Sequence, residues 1–130
     1  MASILKVDTI TGVATAGSIA VTGEGNSTTT NLQQGLVKSF VEGANHAAGA
    51  INGDTFNIAS YVDYTTGVSE FNVTNAMGNA DYPVMCSSQA NHVYQSLAIS
   101  TTVYRASTVG LGTSSLADGD NAAMITGDLA

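Results

Sequence analysis

Two runs of alternating apolar and polar residues near the middle of the chain constrain its fold most strongly. In residues 55–62 every second side chain is apolar or small, and in residues 68–74 Phe71 and Val73 point one way while polar residues point the other. The two runs flank a loop that ends at Gly67. A period of two residues indicates β-strands, so the pattern predicts a β-hairpin.

Shorter β-rich runs lie on both sides of this hairpin, and no sustained period of 3.6 residues is present. We expect strands within residues 36–41, 82–88, 93–105 and 122–129, separated by turns rich in Gly and Asn. The sequence therefore predicts an all-β fold. Residues 35–130 would form a small antiparallel β-sandwich or jelly-roll-like body of about five to seven strands.

The first 34 residues differ from this body because they contain too few large apolar side chains to fold alone. Two short alternating runs are joined and followed by Gly, Ser and Thr. We predict that residues 1–34 form an extended attachment arm and linker whose strands lie against a partner. The apolar anchors expected in this arm are Ile4, Leu5, Val7, Ile10, Ile19 and Val21.

Charged side chains are scarce, and this scarcity favours association. Only 10% of the residues are charged, against roughly 25% in ordinary soluble domains. The aromatic content is 6%, which indicates a thin core. A surface with so few charges is poorly solvated, so we expect much of it to be buried against partners, most simply other copies of the chain.

The acidic balance and the single cysteine exclude several classes of function. A net charge of −7 with three cations gives no basic patch for nucleic acid or for an anionic membrane surface. No apolar run is long enough to span a bilayer, and no signal peptide is recognised. Cys86 is alone, which rules out an internal disulfide and fits assembly in a reducing compartment.

Residues with potential chemistry are few, and a structural role is the favoured interpretation of most of them. His46 and His92 lack metal-ligand spacing, and Cys86 lies in an apolar run typical of a buried, unreactive thiol. We expect no catalytic residue, no cofactor and no metal. Tyr64, at the loop end of the hairpin, is the candidate receptor contact because its ring combines an apolar face with a polar tip.

Three segments resemble a known group of proteins. The opening SILKVDTITGVATAGSIAVTGEGNSTTTNLQQGL, the hairpin segment DTFNIASYVDYTTGVSEFNVTNAMGNADY and the ending ITGDLA resemble small tail-fibre-like virion structural proteins of marine tailed bacteriophages. The chain departs from their pattern at residues 39–50. The resemblance implies a homotrimeric virion component, assembled in the bacterial host cytoplasm, with the arm as attachment segment and the body projecting outward.

On this basis the expected function is that of a short trimeric surface fibre or decoration protein attached through its arm to other virion proteins of the capsid or tail. The alternative is a tail-fibre adhesin whose outer loops bind a host surface glycan or protein. The trimer is expected to form through one sheet face. The candidate residues for that face are either Phe56, Ile58 and Val62 or Leu97, Ile99 and Val103.

Overall fold

The computed structural model describes residues 5–12, 19–22, 29–45, 49–88 and 92–130. In this part of the chain all sheets are antiparallel, so the predicted all-β class is confirmed. A four-residue helical turn, α1 (Leu32–Gly35), lies between the second and third strands. The strands are β1 (Ala20–Thr22), β2 (Thr29–Asn31), β3 (Val37–Asn45), β4 (Ala50–Ile51), β5 (Thr55–Phe56), β6 (Ile58–Thr65), β7 (Val68–Val73), β8 (Val84–Ser88), β9 (His92–Ala98), β10 (Val103–Gly110) and β11 (Asn121–Thr126).

Two sheets pack face to face and enclose the core. The four-stranded sheet has the order β6-β7-β10-β9, and the five-stranded sheet has the order β4-β3-β11-β8, with β5 also paired to β3. Phe71 and Tyr104 from the first sheet are fully buried, as are Val41 and Ile125 from the second. The body is therefore a β-sandwich whose inward-facing side chains alternate with outward-facing ones.

Polar side chains inside the sandwich are hydrogen-bonded between the sheets. The Ser39 and Tyr104 hydroxyl groups lie 3.4 Å apart, and the Asn121 side-chain amide donates to Ser69 Oγ at 2.9 Å. Burial raises the pKa of Tyr104 to about 12, so its phenol stays protonated. These bonds offset the cost of burying polar groups and hold the two sheets in one relative position.

The predicted hairpin is confirmed as β6 and β7, which are joined at Gly67. Gly67 has φ 68°, and its amide donates to Asp118 Oδ1 at 2.6 Å. The Thr108 amide donates to the Gly67 carbonyl at 2.7 Å. A Cβ on Gly67 would lie 2.7 Å from the Thr108 carbonyl oxygen, so the turn accepts only glycine.

The first of the two expected trimer groups does not share a face. Asn57 has φ 58°, a left-handed conformation that Asn tolerates, and its side-chain amide donates to the Lys38 carbonyl at 2.8 Å. The chain passes from the five-stranded to the four-stranded sheet at this residue. Phe56 consequently lies on the outer face of one sheet, Ile58 packs against the core, and Val62 lies on the outer face of the other sheet. The expectation of a common face was wrong because the alternation breaks twice. The chain changes sheets at Asn57, and a register shift between Ile58 and Ser60 places Ile58 and Val62 on opposite sides of β6.

The second group does share a face. The stretch expected as one strand over residues 93–105 consists of β9, a turn and β10, and the Ile99 amide donates to the Val103 carbonyl across the turn at 2.9 Å. Leu97 pairs with Arg105 and lies on the outer side of the sheet, as do Ile99 and Val103. Their role in a trimer stays a prediction.

The N-terminal region contains a small two-stranded hairpin. Strands β1 and β2 pair with each other, and the Leu32 amide donates to the Ile19 carbonyl at 2.8 Å. Gln34 on the helical turn donates through its side chain to Asp128 Oδ2 at 3.2 Å. Residues 5–12 precede this hairpin, form no strand and are exposed. The expected anchor Ile4 lies outside the described residues.

Candidate interaction surfaces

The outer face of the four-stranded sheet carries a cross-strand row with charges at its centre. Strand register places Val62, Glu70, Arg105 and Leu97 side by side on the four strands. Arg105 Nη2 lies 2.6 Å and Nε 2.8 Å from Glu70 Oε2, a close ion pair. The hydrogen bond to Glu70 raises the pKa of Arg105. We call this set of four residues the mixed row.

Apolar side chains surround this ion pair. The Arg105 guanidinium lies 3.6 Å from the ring centroid of Tyr64, a cation–π contact. Leu97 is 62% exposed, and it lines a groove of about 250 Å³ together with Tyr64, Val68 and Ile99. The expected trimer residues Val62, Leu97, Ile99 and Val103 and the expected receptor contact Tyr64 therefore lie on one face.

The outer face of the five-stranded sheet carries a second row, which is entirely apolar. Phe56 pairs with Phe40, Phe40 with Met124, and Met124 with Met85, so that the four side chains cross β5, β3, β11 and β8. The Phe40 and Phe56 rings are stacked with centroids 6.1 Å apart. Phe56, Met85 and Met124 are each at least 40% exposed. We call this set the apolar row.

A groove of about 400 Å³ runs along the apolar row. Phe40, Met85, Met124 and Ala122 line it. Glu42 stands at one end, where an adjoining depression is also lined by Asp120. The groove is thus apolar along its length and acidic at one rim.

Cys86 lies at the floor of this groove and packs partly against the core. Burial raises the pKa of its thiol to about 11, so the reactive thiolate is scarce at neutral pH. This agrees with the interpretation of Cys86 as a structural residue.

Sequence reasoning missed the apolar row. Met85 and Met124 occur in separate short runs, and only the pairing of β8, β11, β3 and β5 brings them together with the two phenylalanines. The period-two pattern places each side chain on one side of its own strand, but it contains no information about register between distant strands.

Edge strands β6 and β8 carry features that make them less suited to pairing with another chain. Pro83 precedes edge strand β8, and Ser96 Oγ donates to the Val84 carbonyl at 2.6 Å, which joins β8 to the neighbouring edge strand β9. Edge strand β6 has two register shifts against β7, and it carries Asp63. Bulges, charges and proline are features that protect edges from strand addition.

The described arm residues present apolar side chains to solvent. Leu5 is 81% exposed, Val7 52% and Ile10 57%, while Val21 on β1 is also half exposed. Ile19 precedes β1 and is partly buried. Of the expected anchors, Leu5, Val7, Ile10 and Val21 are therefore not covered by the body of their own chain.

Residues suited to metal or covalent chemistry do not converge on a site. Within the part of the chain that the structure describes, no group of three or more His, Cys, Asp or Glu side chains could hold a metal ion. His46 and the side chain of His92 lie outside that part. Asp118, in the acidic segment near the C-terminus, is used to hold the Gly67 turn. No helix among the described residues has the length and hydropathy needed to cross a bilayer.

Comparison with known proteins gives no match. No protein-family profile fits the sequence, and no curated protein or solved structure shows significant similarity to the chain.

Proposed function

We propose that this chain is a bacteriophage virion structural protein, a short trimeric surface fibre or decoration protein attached to the capsid or tail through its N-terminal arm. The observation that carries the proposal is the exposure of Leu5, Val7 and Ile10 on a segment that forms no strand. Apolar side chains held in water gain free energy when a partner covers them, roughly 25 cal/mol per Å² buried. The bacteriophage context comes from the resemblance of the arm and hairpin sequences.

The mixed row supports self-association through the four-stranded sheet. Its one ion pair is internal to the protomer, so covering the face leaves neither Glu70 nor Arg105 without a partner. Burial of an already paired charge avoids the several kcal/mol cost of an unpaired one. The surrounding Leu97, Ile99 and Val62 side chains supply apolar area. Three copies joined in this way would present three arms, and multivalent attachment lets each arm bind weakly.

Three serine substitutions in the arm test the proposal. The variant Leu5→Ser, Val7→Ser, Ile10→Ser removes the exposed apolar side chains without touching the body. We expect its copy number in purified particles to fall at least tenfold while the free protein keeps its association state and unfolding midpoint. The matched control, Thr9→Ser with Thr11→Ser, changes exposed polar residues of the same segment and should incorporate normally. Normal incorporation of the triple variant would contradict attachment through the arm.

The adhesin alternative depends on Tyr64, which is 54% exposed beside the groove on the four-stranded sheet. Because Arg105 already covers part of the ring, a sugar or protein ligand would have to bind the Tyr64–Arg105 pair. Loss of cell binding by particles that carry a Tyr64→Ala variant, with normal trimer and copy number, would favour this alternative.

A further inference from the structure

The groove on the outer face of the five-stranded sheet changes from apolar to acidic along β11. Met124 and Ala122 line the groove, and Asp120, which directly precedes the strand, lines the adjoining depression. Side chains two residues apart on a strand lie about 6.6 Å from one another. The apolar end at Met124 therefore lies within about 13 Å of the acidic end at Asp120.

Small side chains form the passage between these two ends. Ala122 pairs with Ser87 on β8, and both residues line the groove. Beside them stand Phe40, Met85 and Met124, and methionine adjusts its shape to a ligand. The groove volume of about 400 Å³ falls within the range of about 300–1,000 Å³ that is usual for ligand sites. The groove thus has room for apolar side chains of a partner.

The carboxylates of the acidic end are not paired within the described part of the chain. Glu42 lines both the groove and the depression, and neither Glu42 nor Asp120 forms an ion pair with a described residue. Two carboxylates beside an apolar surface attract a cation, and the attraction is stronger where a ligand excludes water. The complementary ligand therefore carries a Lys or Arg beside apolar side chains.

The chain itself offers no such segment. Of its three cations, Lys38 is buried and Arg105 is held in the ion pair of the mixed row. Lys6 is exposed, but in an extended arm its neighbours on the same side are Ile4 and Asp8, so a carboxylate would accompany it to the acidic end. Two copies of this face placed together would also bring like charges together. A different protein is the better source of the ligand.

We infer that the groove binds a short extended segment of another protein, in which two apolar side chains and a Lys or Arg alternate on one side. Such a segment has the same spacing as the outward positions of β11. Its apolar side chains cover Met124 and Ala122, and its cation lies beside Glu42 and Asp120. The inference goes beyond the proposed attachment through the arm, because it assigns a separate partner contact to the body.

Selection from a peptide library tests the inference. Random peptides of about 12 residues, long enough to cross the sheet when extended, are selected on the full chain and counter-selected on a Met124→Glu variant. We expect the retained peptides to contain two alternating apolar residues with a Lys or Arg two or four positions away. Retained peptides without enriched cations would overturn the inference, as would a library that does not distinguish the two proteins.

Binding of one retained peptide to variants locates the contact. Met124→Glu should raise the Kd about tenfold or more, because the peptide would cover an unpaired charge. Glu42→Gln combined with Asp120→Asn should raise it about threefold and reduce its dependence on salt. Leu111→Glu adds a charge at an exposed position outside both rows and should leave the Kd unchanged. An unchanged Kd in the double variant, or equal effects of the two glutamate substitutions, would contradict the site.

The same titration excludes the other occupants. The variant with three serine substitutions in the arm should bind the peptide as the unmodified chain does, and tighter binding would show that the arm occupies the groove. An apparent Kd that rises with the concentration of the chain would assign the groove to a second copy. Either result would overturn the inference. Because these measurements use the free protein, their failure leaves the proposed attachment through the arm standing, and a failure of incorporation into particles leaves the groove's ligand standing.

Discussion

The two outer faces of the sandwich differ most at their centres. On the four-stranded sheet the central pair of the row is Glu70 and Arg105, and on the five-stranded sheet it is Phe40 and Met124. Charged pairs require one geometry to be satisfied, because a shifted partner leaves hydrogen bonds unmade. Phenylalanine and methionine make non-directional contacts that tolerate different partners. The first face thus presents an internally paired charge among apolar side chains, whereas the side chains of the row on the second face are all apolar.

The two faces also differ in where their charged residues lie. Arg105 is held on the mixed row by Glu70 and by the Tyr64 ring. On the other sheet the nearest charged residue of the groove is Glu42 at its rim. With 10% charged residues in the chain, both faces leave apolar side chains exposed.

The largest loss of stability is expected from Gly67→Ala. Gly67 lies in the turn between β6 and β7 of the four-stranded sheet. The new Cβ would meet the Thr108 and Ala117 backbones within 3 Å and would occupy a left-handed backbone conformation. We expect a loss of about 3 kcal/mol in the free energy of unfolding, measured by urea denaturation.

Gly112→Ala is the matched control because Gly112 also has a positive φ, of 90°, but has open space around it. This variant should lose only about 1 kcal/mol, the cost of the backbone conformation. Equal losses in the two variants would show that the contact between the turn and the loop after β10 contributes little to the four-stranded sheet.

A smaller effect is expected from a double-mutant cycle on Glu70 and Arg105, which measures whether the mixed row is covered. An exposed ion pair couples weakly, whereas a desolvated pair couples several-fold more strongly. We expect the larger coupling at concentrations where the protein is associated and the smaller one after dilution. The cycle compares the unmodified chain with Glu70→Ala, Arg105→Ala and the double variant. The free energy of unfolding of each protein is measured at both concentrations. A coupling energy that is equally weak at both concentrations would mean that solvent reaches this face in the associated protein as well.

The sequence predicted local features well because they depend on neighbouring residues. Alternation located the β6–β7 hairpin, and glycine marked its turn. The break at Asn57 depends on a single residue, because Asn adopts the left-handed conformation at little cost. Continuing the alternation through Asn57 therefore placed Phe56 on the same face as Val62, although the two lie on different sheets.

Features that depend on pairing between distant strands were not predictable. The ion pair of the mixed row joins residues 35 positions apart, and the apolar row joins Phe40 to Met124. Which strand lies beside which is decided by the packing of the whole core, in which Tyr104, Phe71 and Ile125 fit together. A single sequence shows the side chains available for each face but not the register that assembles them.

The mass of the protein in solution tests the central claim most directly. Sedimentation equilibrium of the full chain at micromolar concentration should give about 39 kDa, three times the 13.1 kDa of one chain. Leu97→Asp, which puts a charge at the exposed end of the mixed row, should shift the mass toward the monomer without lowering the unfolding midpoint of the dilute protein. A mass of 13.1 kDa for the unmodified chain at every concentration would contradict the account.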